Sequence, residues 1–154
     1  MTTTTSASHR RLRQFRNILV SLAFVASIQA AEKIVWKPME RASLKIDDKP
    51  QKIWNVYRAE KEKKEPLLLV QIWRRYLLVN YRDREIYDLD PSKLEHKDKD
   101  LLWSEADKPA KPVPTEDWLV RDVGPLKRIR VKLAAEGRFL EVQIPTQPDL
   151  RPFY

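Results

Sequence analysis

Hydrophobic residues in this chain recur at every second position, in short runs. Ala42, Leu44 and Ile46 alternate with Ser43 and Lys45 until Asp47-Asp48-Lys49-Pro50 breaks the pattern. Ile129, Val131 and Leu133 alternate with Arg128, Arg130 and Lys132. After a break over residues 134–138, Leu140, Val142 and Ile144 alternate with Phe139, Glu141 and Gln143. Side chains of a β-strand point to opposite faces in turn, so period two gathers the apolar set on one face. Ile53 to Arg58 reads as a further strand, with Trp54 and Val56 on the core side. Leu67–Trp73 and Tyr76–Tyr81 are apolar stretches parted by Arg74-Arg75. A helix starting at Pro66 competes for that segment. The break at Arg82-Asp83-Arg84 and the alternation of Glu85–Leu89 favour strand–turn–strand. The expected fold is mainly β: a single small antiparallel open barrel or sandwich with minor helix.

The rest of the body supplies little helix. Asp90 can cap a short turn of it at Pro91–Glu95. Residues 105–116 hold Pro109, Pro112 and Pro114 and read as a long Pro-rich loop of extended geometry. With only two glycines in the chain, two-residue hairpins of the primed type are expected to be few.

The first thirty-one residues differ from the body. They contain no acidic residue, and Arg10, Arg11, Arg13 and Arg16 precede an apolar run from Ile18 to Ala31. This is the layout of a secretory leader, with cleavage expected after Ala30. The run falls short of the ~20 residues a spanning helix needs, so no transmembrane span is expected after cleavage. A retained anchor, a transit peptide and a twin-arginine signal are the competing readings. The expected organisation is a signal peptide over 1–30 and one β-rich domain over 31–154, periplasmic or secreted. The formal charge of +8 falls with the leader, whose four arginines leave 26 basic residues against 22 acidic. A +4 excess scattered among so many acids argues against a nucleic-acid partner.

Composition removes several chemistries. No cysteine means no disulfide, thiolate or iron–sulfur ligation. Two glycines cannot write a phosphate-cradling loop. His96 is the one histidine beyond the leader, and it lies among alternating lysines and acids that read as a solvated turn. Asp88-Leu89-Asp90 fails as a calcium loop, because Lys93 and Lys99 stand where glycine and glutamate are required. No metal, cofactor or catalytic set is expected. Glu85 with Asp88, or Glu116 with Asp117, remain candidate carboxylate pairs for a hydrolase.

Two sets of residues suggest binding. Arg128, Arg130 and Lys132 project from one face of one strand and offer an anion a basic stripe, part of which Glu141 on the facing strand could neutralise. Trp103 and Trp118 flank the Pro-rich loop and could stack a sugar. The expected function is an exported, non-catalytic envelope or secreted binding module with a mildly basic face. Its expected partner is an anionic envelope component or a protein. The alternatives are a small hydrolase of envelope polymers, and a subunit docking through its Pro-rich loop and terminal tail. An outer-membrane barrel is excluded by short strands and by Pro145, Pro148 and Pro152 near the end.

Overall fold

The computed structural model describes residues 32–60 and 66–146, with the side chain of Trp54 outside that description. The leader and the expected core position of Trp54 therefore lie outside the described residues. Two antiparallel sheets make up the fold. The larger takes the order β7-β6-β5-β4-β1-β9-β8, from β1 (Lys33–Pro38), β4 (Val56–Ala59), β5 (Leu67–Ile72), β6 (Arg75–Asn80), β7 (Glu85–Leu89), β8 (Glu95–Lys97) and β9 (Asp100–Ser104). The smaller takes the order β10-β11-β12-β2-β3, from β2 (Ser43–Ile46), β3 (Lys49–Gln51), β10 (Trp118–Val123), β11 (Leu126–Leu133) and β12 (Arg138–Pro145). Among the described residues, helix is confined to short 3-10 turns, one of them Pro91–Lys93, where the Asp90 carboxylate accepts from Ser92 N.

The larger sheet curls into a half-barrel. Its two edge strands, β7 and β8, are joined by only Asp90–Leu94, and Tyr76 Oη on β6 lies 3.1 Å from His96 Nε2 on β8. Inside the curl pack Trp36, Tyr57, Leu69, Tyr76, Leu78, Tyr87, Leu101 and Trp103. The opposite face carries Val56, Leu68, Val70, Ile72, Leu77, Val79 and Ile86. These pack on Leu44, Ile46, Ile129, Val131, Leu133, Leu140, Val142 and Ile144 of the smaller sheet. Strands β5 and β6 are thus covered on both faces. That is why their sequences are unbroken apolar runs, while β2, β11 and β12 alternate. Each such aliphatic side chain contributes about 1.5–3 kcal/mol on burial.

Two expectations fail. Ile53–Asn55 is a 3-10 turn with Ile53 52% exposed, and the strand begins only at Val56, which pairs with Val70. Two-residue hairpins are also common rather than few. They join β2 to β3 through Asp47-Asp48, β5 to β6 through Trp73-Arg74, β8 to β9 through Asp98-Lys99, and β10 to β11 through Gly124-Pro125. Left-handed backbone is supplied mostly without glycine, at Asp47 (φ 49°), Asp48 (φ 61°), Trp73 (φ 57°) and Asp98 (φ 56°). Aspartate tolerates that region because its short side chain bonds locally. Asp47 Oδ1 accepts from Phe139 N at 3.0 Å.

Candidate anion-binding face

The smaller sheet turns one face to the half-barrel and leaves the other outside. Arg128, Arg130 and Lys132 share that outer face, as their alternation with buried Ile129, Val131 and Leu133 requires. The register adds neighbours. Arg121 on β10 stands opposite Arg128, Glu141 on β12 opposite Arg130, and Lys45 on β2 opposite Glu141. Five cations (Lys45, Arg121, Arg128, Arg130 and Lys132) thus share a face with two carboxylates, Glu116 and Glu141.

Glu141 sits at the centre and is only 6% exposed. Its carboxylate lies 3.0 Å from Arg130 Nε and 3.6 Å from Arg128 Nε, and it accepts from Gln143 Nε2 at 2.7 Å. The Arg130 contact is coulombic, because Nε makes no aligned hydrogen bond despite the short separation. Arg130 also lies over the Phe139 ring, 4.5 Å from its centroid. Lys132 is tied to Glu116 at 2.7 Å, and that hydrogen bond raises its pKa above the usual lysine value. Arg121 and Lys45 have no ionic partner among the described residues. One carboxylate therefore serves two guanidiniums, and two further cations on the same face are unneutralised.

Trp103 and Trp118 are not brought together. Trp103 lies on β9 at 1% exposure, packed against Trp36 inside the half-barrel, with ring centroids 6.4 Å apart. Trp118 begins β10 in the other sheet, half-buried on the inter-sheet core, and its indole N–H donates to Thr115 Oγ1 at 3.1 Å. The two indoles therefore sit in different sheets and do not form one stacking platform. The Pro-rich loop between them runs along the edge of β7, where Val113 N donates to Ile86 O at 2.6 Å.

Three of the four candidate carboxylates are engaged elsewhere. Glu85 accepts from Tyr87 Oη at 2.7 Å, Asp88 pairs with Arg75 at 2.8 Å, and Glu116 holds Lys132. Among the described residues, the carboxyl groups with displaced pKa values are Asp90, lowered by hydrogen bonds from Ser92, and Glu95, lowered by the Lys33 ammonium. Downward is the wrong direction for a general acid. No cluster of three metal-ligating side chains occurs among the described residues. No described helix is long and apolar enough to cross a membrane.

Cavities open at the two mouths of the half-barrel. One, of about 300 Å³, has Trp36, Leu78, Trp103 and Lys108 in its wall. The indole N–H groups of Trp36 and Trp103 are buried without an acceptor. The other, of about 470 Å³, is bordered by Tyr57, Gln71 and His96. Burial pushes the Tyr57 and Tyr76 phenols up there.

Sequence reasoning placed Glu141 on the facing strand but missed Arg121 and Lys45 as members of the face. Their joint position depends on which strands are neighbours, and period two alone does not say. No family model matches the chain. No curated protein and no solved structure matches it either.

Proposed function

We propose that the protein is a small exported binding module that holds an anionic envelope component on the outer face of its smaller sheet. The observation that carries this is the charge imbalance around Glu141. Like charges directly opposite on neighbouring strands destabilise a sheet, yet Arg121 faces Arg128 here. A multivalent anion laid across β10, β11 and β12 would relieve that repulsion and meet Arg121, Arg128, Arg130 and Lys132 together. Guanidinium groups suit such a partner, because each presents paired donors to phosphate or carboxylate oxygens.

The test is retention of the full chain on immobilised inorganic polyphosphate at low ionic strength. Retention should disappear as salt rises and the screening length shrinks from ~10 Å at 0.1 M to ~3 Å at 1 M. Reversing Arg128, Arg130 and Lys132 to glutamate should abolish it. Retention that survives the reversal sinks the reading.

A further inference from the structure

Of the four sheet edges, three are blunted. The edge of β7 is covered by the Pro-rich loop through Val113. Strand β3 is three residues long and contains Pro50. Strand β8 is three residues, Glu95, His96 and Lys97, all exposed and polar. These are the usual devices that stop a sheet from growing. Strand β10 is blunted least: Arg121 and Asp122 are its only charged residues, and nothing among the described residues covers it. It runs six residues, ends the smaller sheet, and contains no proline. It also carries Leu119, Val120 and Val123 at 38%, 41% and 45% exposure, three of the five large hydrophobic side chains exposed among the described residues.

We infer that the β10 edge accepts an extended segment of a partner polypeptide as an added strand, with an acidic residue opposite Arg121 and apolar residues opposite Leu119, Val120 and Val123. This goes beyond the anion-binding reading, since it concerns the strand edge and a polypeptide. The pattern follows from the register. Leu119, Arg121 and Val123 share the outer face with Arg130 and Arg128 opposite, whereas Val120 and Asp122 lie on the other face. In an antiparallel addition each partner residue shares the face of the residue it stands opposite. The complementary strand therefore reads apolar, basic, acidic, apolar, apolar from Val123 back to Leu119. A second copy of β10 does not fit. Two-fold antiparallel pairing sets outer-face residues against outer-face residues, and those are Leu119, Arg121 and Val123, with no carboxylate among them. Arg121, which lacks an ionic partner among the described residues, would meet another arginine or an aliphatic side chain. Main-chain hydrogen bonds would supply affinity and the alternating side chains specificity.

The experiment uses the full chain and an end-blocked, fluorescently labelled peptide, Thr-Val-Lys-Glu-Val-Val-Thr, read by polarisation and by amide exchange over residues 118–123. Binding should slow exchange in β10. Methylating every peptide nitrogen should weaken binding by at least about tenfold, because the ladder is lost. Arg121→Glu should weaken this peptide by about tenfold and favour a version with lysine in place of its glutamate. Val120→Lys places a charge on a side chain already 41% exposed. It should abolish binding, while unchanged exchange in β11 and β12 verifies that the variant is folded. Equal binding of the methylated peptide, or no charge preference switch in Arg121→Glu, overturns the proposal. So does no binding at all, binding that appears only after deletion of residues 147–154, or a dimer that excludes the peptide. Polyphosphate retention by Val120→Lys separates this result from the anion-binding reading, which that variant leaves intact.

Discussion

Replacing Glu141 by glutamine should weaken the fold and strengthen anion binding at the same time. The substitution keeps the side chain's shape and its contact with Gln143 while removing the one buried carboxylate that serves Arg128 and Arg130. At an effective dielectric of 20, unit charges ~4 Å apart attract by about 4 kcal/mol. Here the two guanidinium side chains are 39% and 41% exposed, and solvent screening discounts that figure heavily. Exposed pairs are worth about 0–1 kcal/mol, and breaking a fully buried pair costs about 3–5. Glu141 itself is buried and its partners are not, which places the loss near 2 kcal/mol. For a domain of this size that is a fall of about 8 °C in Tm. The same change releases two arginines from their internal counter-ion, so polyphosphate should be retained to higher salt, with a steeper salt dependence. Thermal melts followed by circular dichroism and retention measured in parallel give the two signs. A variant that loses stability without gaining retention would refute the reasoning, since the freed cations would then not face the ligand.

Trp103→Ala should cost about 3–5 kcal/mol in chemical denaturation, whereas Trp103→Phe should cost less than half as much, because the indole N–H it removes has no acceptor. Equal losses would mean that the N–H is satisfied in solution. Asp48→Gly should stabilise by about 0.5 kcal/mol, since glycine adopts φ 61° without a Cβ penalty, and a drop in denaturation midpoint would contradict the turn assignment. Glu95 has its pKa depressed below 4.5 by the Lys33 ammonium at 2.5 Å. A depressed carboxylate stabilises the fold above its unfolded pKa and loses that contribution as pH falls through the folded value. Wild type should therefore exceed Glu95→Gln in Tm at pH 7, with the gap closing as pH falls through and below the ordinary glutamate range. A gap that stays constant across that range would show that the ion pair is not its source.

The sequence made the smaller sheet easier to read than the half-barrel. Strands β2, β11 and β12 have one covered face, so Leu44, Val131 and Val142 alternate visibly with polar neighbours. Strands β5 and β6 are covered on both faces, which erases alternation. The turn signals around Arg74 and Asp83, with the alternation that resumes at Glu85–Leu89, are what point to strands there. The segment Ile53–Asn55 misled because Ile53 and Trp54 are apolar, yet the backbone there turns before pairing starts at Val56. Glycine scarcity does not make hairpins scarce, because Asp47, Asp48 and Asp98 supply the left-handed backbone instead. At the site, the shared face of Arg128, Arg130 and Lys132 was legible from spacing within one strand. So was Glu141, one short turn away on the facing strand, whereas Arg121 and Lys45 were not, because they join it only through cross-strand neighbours set by the topology. The burial of Trp103 was hidden for a related reason: its closeness in sequence to a loop says nothing about Trp36, which packs on it from the neighbouring strand β1.

The most direct measurement is an amide chemical-shift map of the full chain titrated with inorganic polyphosphate, at low and then at high salt. The account predicts shifts centred on Arg121, Arg128, Arg130, Lys132 and Glu141, saturating at low ionic strength and vanishing when salt is raised. Shifts spread evenly over the surface, or centred on a mouth of the half-barrel, would contradict it.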